Sequence, residues 1–249
     1  MIEIRGLEFR YQPSHPPVFR DFDLDVHSGE VTAILGASGC GKSTLLRLMA
    51  GLLRPGAGSV RVGARPPAQM TIPLVFQDPR LLPWMTVRQN LEFALRAANR
   101  PREEWSARIE PLLRRVRLEQ LATRLPEELS IGMAQRISLV RALVLQPPVL
   151  LLDEPFAPVD PLQREDLQDA LQELLAATQQ TTTVIVTHDI GEALVLGDRV
   201  IVLAGRPGTI RAELVVARER PRDAAFRLSP EFLELQRQVR VALASDAQL

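Results

Sequence analysis

Apolar positions along the chain fall into three kinds of pattern. Phe22, Leu24 and Val26 alternate with Asp21, Asp23 and Asp25, the period of a strand with one buried and one wet face. Residues 2–11 and 18–27 read as two such strands, joined by the turn Gln12-Pro13-Ser14-His15-Pro16-Pro17. Three later runs lack alternation: Val31-Thr32-Ala33-Ile34-Leu35, Val149-Leu150-Leu151-Leu152 and Thr181-Thr182-Thr183-Val184-Ile185-Val186-Thr187. Unbroken apolar or β-branched residues suit central parallel strands buried on both faces. Two short strand-like runs lie within residues 59–76, and residues 199–203 and 209–215 form a hairpin around Arg206-Pro207-Gly208.

Helical spacing takes over elsewhere. Leu45-Leu46-Arg47-Leu48-Met49-Ala50 is helical and stops at Gly51-Leu52-Leu53-Arg54-Pro55-Gly56. Across residues 84–146, Val87, Leu91, Ala94, Leu95 and Ala98 recur at helical spacing, as do Ile109, Leu112, Leu113 and Val116, with no strand-like block between them. This predicts a helical subdomain inserted into an α/β core. Its last helix spans 133–146, with Ser130 placed as a cap before it. Ser229-Pro230-Glu231 has the cap, proline and acid of a further helix start, whose stripe is Phe232, Leu235, Val239 and Leu243.

Composition narrows the class. At 249 residues the chain can bury a large core, and its formal net charge of zero gives no general attraction to nucleic acid. A single cysteine, Cys40, excludes an intrachain disulfide framework and fits a reducing compartment. Met1-Ile2-Glu3-Ile4-Arg5 reads as a strand rather than a signal peptide, and no apolar run is long enough to cross a bilayer. The expectation is a cytosolic protein, or one attached to a membrane through a partner.

The chemistry gathers at strand ends. Gly36-Ala37-Ser38-Gly39-Cys40-Gly41-Lys42-Ser43-Thr44 lies between an apolar strand and a helix, the context of a phosphate-binding loop. Glycines let backbone N–H groups turn inward around an anion, and the helix N-terminus adds unpaired donors. Lys42 is the only lysine in the chain, every other cationic side chain being arginine. A compact ammonium is retained where it must enter the phosphate nest. Ser43 is a candidate Mg²⁺ ligand. Cys40 is either a small packing residue or a thiolate favoured by the helix N-terminus.

Asp153 and Glu154 end the second apolar strand, where parallel sheets bind ligands. Asp153 is then a partner for Mg²⁺ through water, and Glu154 a group to orient or activate an attacking water. Gln77 and His188 occupy equivalent places after their own strands. Gln77 reads as ordinary capping or as a group reaching metal-bound water. Tyr11 reads as edge packing or as a ring stacked on a nucleotide base. His15 and His27 lie in or beside turns, exposed.

With these segments in place, the chain resembles an ABC-transporter ATPase along nearly its whole length. Residues 36–44 match Walker A, 149–154 Walker B, Gln77 the Q-loop, His188 the switch histidine, Asp160 the D-loop and Tyr11 the adenine-stacking aromatic. Leu129-Ser130-Ile131-Gly132-Met133 matches the signature motif, with Ile131 where the family usually has glycine. A positive φ at Ile131 would strain a β-branched residue by about 1 kcal/mol or more, whereas a negative φ would not.

The resemblance implies an α/β fold: a P-loop NTPase core with an N-terminal antiparallel β subdomain and an inserted helical subdomain. One ATPase domain would span 1–220, with the helical part about 84–146 and a C-terminal helical extension over 221–249. It implies ATP and Mg²⁺ as cofactors. Glu154, His188, Gln77 and Lys42 would be catalytic, and Ser43, Gln77 and Asp153 would face the metal. The nucleotide would be bound by Tyr11, Gly36, Ala37, Ser38, Gly39, Cys40, Gly41, Lys42, Ser43 and Thr44, with Ser130, Gly132 and Asp160 acting across a head-to-tail pair of ATPase subunits. The implied partners are integral-membrane permease subunits and, indirectly, a periplasmic or extracellular binding protein, at the cytoplasmic face of the membrane, with no nucleic acid. The stretches 76–87 and 206–208 resemble importers of nitrate, sulfonates and taurine. A soluble ABC ATPase acting on nucleic acid or translation, and a weakly catalytic nucleotide-dependent regulator, are the alternatives.

Overall fold

A computed structural model describes residues 1–178 and 181–244. Strands β1 (Ile2–Phe9) and β2 (Phe19–Val26) pair antiparallel and bury alternate residues. Both are shorter than the expected 2–11 and 18–27. Strand β3 (Val31–Gly36) is buried throughout and delivers the glycine loop to helix α1 (Lys42–Met49). Strand β4 (Ala57–Val62) returns to pair antiparallel with β1, closing a three-stranded sheet of order β2-β1-β4.

The two-residue strand β5 (Leu74–Val75) leads into α2 (Val87–Ala97), α3 (Trp105–Arg115) and α4 (Ile131–Leu143), joined by short 3₁₀ turns. Residues 84–146 contain no strand, as their periodicity predicts. The last of these helices is displaced from the expected 133–146. Ser130 Oγ accepts from the Met133 N–H at 3.2 Å, so Ile131 is already the first helical residue. At the other end Gln146 takes φ +48°, which no α-helix continues through.

The remaining chain alternates strand and helix: β6 (Val149–Asp153), α5 (Pro161–Ala176), β7 (Thr182–Thr187), α6 (Ile190–Leu196), β8 (Arg199–Ala204), β9 (Thr209–Val215), α7 (Ala224–Arg227) and α8 (Pro230–Ala244). The six-stranded sheet has the order β5-β6-β7-β3-β8-β9, parallel except for the β8–β9 hairpin.

Two apolar cores lie on the faces of this sheet. On one, Val31, Ala33 and Leu35 pack with Leu150 and Leu152, the stripes of α2, α3 and α4, and Phe232 and Val239 of α8. On the other, Ile34 packs with Leu45 and Leu46 of α1 and the inner face of the small sheet. Each fully buried leucine or isoleucine contributes about 1.5–3 kcal/mol relative to exposure. The described part of the C-terminal segment is built into the first core, and residues 245–249 of the expected extension lie outside the described residues.

Candidate functional site

Strands β5, β6, β7 and β3 are consecutive neighbours in the sheet and parallel, so their carboxyl ends open along one edge. Gln77 follows β5, Asp153 and Glu154 end β6, His188 follows β7, and the glycine loop follows β3. Distant segments are thereby brought to one place. Loops at such ends have room for a ligand because the crossovers return at the opposite end.

Helix α1, like α3, starts without a side-chain cap. Thr86, Ser130, Asp189 and Asp223 each accept a backbone N–H at the head of α2, α4, α6 and α7, whereas α1 begins at Gly41 with no side-chain cap. Its first N–H groups are left for a ligand, and an anion is the ligand they favour. Gly41 has φ +108°, and a Cβ there would stand 2.7 Å from the Phe19 ring. At Gly36 an added Cβ would lie 2.3 Å from the Leu203 carbonyl oxygen. No other residue fits either position.

Lys42 is buried, its Nζ donating to the carbonyls of Gly36 at 2.7 Å and Ala37 at 3.0 Å. The ammonium is thus held within the loop it would serve. Ser43 Oγ donates to Asp153 Oδ1 at 2.9 Å, joining the two nucleotide motifs across 110 residues. Burial raises the Asp153 carboxyl above its ordinary pKa; the Glu154 charge adds to this, while the Ser43 hydrogen bond, Arg47 and Lys42 oppose it.

Glu154 adopts φ +48°, a left-handed conformation for a non-glycine residue, and its N–H is fixed to Val186 O at 2.9 Å. Such strain persists only where surrounding structure enforces it. The resulting geometry sets Glu154 Oε2 3.1 Å from His188 Nδ1.

A cleft of about 430 Å³ is lined by Tyr11, Ser38, Gly39, Gly41, Lys42, Ser43, Thr44 and Glu154. His15, Pro16, Val18 and Arg206 also line it. Tyr11 lies beyond the end of β1, half exposed, with its hydroxyl 3.0 Å from Thr44 Oγ1 and its ring edge-on to Phe9. Cys40 is buried beneath the loop. An adjoining cleft of about 610 Å³ brings Gln77 together with Ser43, Asp153, Glu154 and Ile131.

Ser130, Gly132 and Asp160 stand apart from the cleft around the glycine loop. Ser130 caps α4, Asp160 Oδ1 accepts from the Gln163 N–H at 3.1 Å, and a Cβ on Gly132 would lie 3.1 Å from Gln163 Oε1. Signature and D-loop therefore adjoin each other. Ile131 is not among the residues of positive φ, so it occupies its place without backbone strain, more than half exposed.

Several residues that matter here were not singled out by motif. Asn90, fully buried, accepts from Leu82 N–H and donates to the carbonyls of Leu82, Met85 and Thr86. Arg141 donates to the carbonyls of Pro79 and Arg80, and Gln135 to that of Phe76. The segment after β5 is thus tied to helices α2 and α4. A polar residue within the apolar stripe of α2 was the available signal for Asn90.

Comparison with known proteins agrees with this geometry. Residues 19–157 match the family model described as ABC transporter. The chain is 50% identical over 209 residues to the aliphatic sulfonates import ATP-binding protein SsuB 1 of Xanthomonas axonopodis pv. citri (strain 306), covering 83% of this chain and 82% of that one. It is 41% identical over 222 residues to a putative ATP-binding protein of Brucella abortus biovar 1, covering 87% and 84%. Among solved structures, the dimeric bacterial ABC transporter cassette MJ0796 superposes with a TM-score of 0.75 at 29% identity, covering 88% of this chain and all of that one. CbiO1 of Clostridium perfringens, part of the transporter complex cbiONQ, gives 0.78 at 27% identity, covering 98% and 96%. An uncapped glycine loop, a strained carboxylate beside a histidine, and these likenesses lead to one conclusion: the chain belongs to the ABC transporter ATP-binding family and is an ATP-hydrolysing cassette.

Proposed function

We propose that this ATPase powers import of an aliphatic sulfonate or a closely related small anion, working as a head-to-tail pair of cassettes beneath separate permease subunits. The substrate class rests on the likeness to sulfonate-import ATP-binding proteins. The observation that carries the mechanism is the Glu154–His188 contact at the edge of the glycine-loop cleft.

In this reading the glycine loop and Lys42 hold the phosphates of ATP, and Tyr11 stacks on the base. Ser43, Asp153 and Gln77 offer hard oxygen donors beside the loop. Among the described residues no cluster of three or more His, Cys, Asp or Glu forms a complete cage. That donor set suits Mg²⁺, which is commonly held by few protein oxygens together with substrate phosphates. Bound Mg²⁺ would neutralise charge on the β- and γ-phosphates.

Glu154 then orients a water and takes its proton as the water oxygen attacks the γ-phosphorus. The bond to the bridging oxygen breaks, releasing ADP and phosphate. His188 positions Glu154, while Lys42 and Gln77 stabilise charge on the transferring group. Ser130, Gly132 and Asp160 of the second cassette close over the γ-phosphate, so hydrolysis removes the bridge between the two. Gln77 lies in the segment tied to the helical subdomain by Asn90, Arg141 and Gln135, which lets nucleotide state move that subdomain. Trp84, exposed at the end of this segment, belongs to the surface that would meet the permease. No helix among the described residues is long and apolar enough to cross a membrane.

Affinity purification of the tagged protein from detergent-solubilised native membranes tests the assembly. A multi-spanning permease at stoichiometric yield supports it; recovery with soluble partners alone overturns it. A strain lacking the gene should fail to grow on an aliphatic sulfonate as sole sulfur source yet grow on sulfate. Undiminished growth on every sulfonate tried overturns the substrate class.

A further inference from the structure

The β8–β9 hairpin does more than close the sheet edge. Its turn is seated against the glycine loop: Gly208 N–H donates to Val18 O at 2.8 Å, and a Cβ on Gly208 would lie 2.5 Å from Cys40 O. From this turn Arg206 reaches over the loop, its Nε donating to Gly39 O at 2.9 Å. Its side chain is exposed and lines the same cleft as Ser38, Lys42, Ser43 and Thr44. Among the described residues, no hydrogen bond or ion pair reaches its two terminal nitrogens.

We propose that Arg206 is a nucleotide-binding residue, a second cation that the β8–β9 hairpin supplies to the polyphosphate chain of ATP and ADP. The argument is one of charge and placement. A nucleoside polyphosphate brings several negative charges into a cleft where Lys42 is a single buried ammonium already bonded to two loop carbonyls. Arg206 adds a permanent charge at the rim, with four N–H donors directed by a planar group suited to phosphate oxygens. Its bond to Gly39 O is at the surface, so releasing or keeping it while a phosphate binds costs little. The rigid seat of the hairpin on Val18 and Cys40 limits how far the guanidinium can stray, which reduces the entropy lost on contact.

The proposal rests on the nucleotide cleft assigned above, and its test separates the two. Binding of a fluorescent ADP analogue with Mg²⁺ is measured on the parent, Arg206→Gln and Arg206→Lys at protein concentrations where sedimentation shows monomers. The Gln variant keeps an amide that can donate to Gly39 O but carries no charge, so a role in bracing the loop alone survives it. The expected result is a Kd about tenfold higher for Arg206→Gln, recovery to within about threefold for Arg206→Lys, and a weaker salt dependence for Arg206→Gln. Thermal midpoints should match the parent's in both. An unchanged Kd in Arg206→Gln overturns the proposal. So does an unchanged Kd accompanied by loss of ATP-driven dimerisation, which would assign Arg206 to the second cassette instead. A parent protein that binds no nucleotide overturns the cleft itself.

Discussion

Glu154 Oε2 and His188 Nδ1 lie 3.1 Å apart although 34 residues separate them in the chain. The contact exists because β6 and β7 are adjacent and parallel, with Asp153 in register with Val186. Glu154 is about a quarter exposed and His188 more than half, so the pair stands at the surface where water and a second cassette can reach it. Glu154, as the proposed base, would need that access to take a proton from water, and a partner to hold its carboxylate.

If Glu154 acts as proposed, removing it and removing His188 should have effects of different size. Glu154→Gln should lower single-turnover ATP hydrolysis by about 10²–10⁴-fold while leaving MgATP binding close to the parent's. His188→Ala, which loses one hydrogen bond to a charged group, should lower it by about 10–100-fold. Phosphate release after rapid mixing measures both. A Glu154→Gln protein as fast as the parent would sink the assignment of the base.

The signature segment separates cap from backbone. Ser130→Ala removes the side chain that accepts the Met133 N–H at the head of α4 and should cost about 1 kcal/mol, read as a lower urea midpoint. Ile131→Gly relieves no strain, because Ile131 is helical; it should destabilise by about 0.5–1 kcal/mol through lost helix propensity. A gain in stability from Ile131→Gly would contradict the observed backbone.

Glu192 gives a pH signature. It is almost wholly buried at the start of α6, hydrogen-bonded to Thr187 and facing Asp189, Arg164 and His188. Burial, aided by Asp189 and opposed by Thr187, Arg164 and His188, raises its pKa from 4.5 to about 7. The folded state then holds the proton more tightly than the unfolded chain. Its contribution to stability is full below about pH 4.5 and declines as pH rises through about 7. Relative to Glu192→Gln, the parent should lose about 1–3 kcal/mol between pH 5 and pH 7.5. Denaturant titrations of the two proteins at several pH values check this; parallel profiles would exclude it.

Arg222 anchors the C-terminal segment from within. Fully buried, it donates to the carbonyls of Leu194, Val195, Gly197, Val216 and Arg218 and approaches Asp198 at 3.4 Å. Burial lowers its pKa to about 10, well above working pH, so it stays charged. Arg222→Ala leaves these acceptors unmatched and should cost about 3–5 kcal/mol in urea unfolding. A loss below about 1 kcal/mol would show that the Arg222 side chain is not what anchors the segment.

The motifs could be read from the chain because each is a local arrangement whose chemistry depends on a few neighbours. A glycine loop between strand and helix, or two acids closing an apolar strand, has its meaning within about ten residues. The same holds for Ser130 and Ser229 as caps, and for the stripes of α2 and α3. Helix ends were less exact, since α4 begins where Ser130 Oγ finds an N–H and stops where Gln146 turns left-handed, events of hydrogen bonding that periodicity does not encode. Ile131 makes the same point: its identity posed the question of strain, and only the backbone angle answered it. Asn90, Arg141 and Arg222 carry no motif, and the Arg206-Pro207-Gly208 stretch does not by itself say what the Arg206 side chain meets. Arg206, Arg141 and Arg222 take their roles from carbonyls far away in sequence, on Gly39, Pro79 and Gly197, and Asn90 from the fold of the turn at Leu82, Met85 and Thr86 just before it. Local residue types establish which chemistry the chain can hold; the order of strands in the sheet, driven by burial of apolar faces on both sides, decides which of those groups meet.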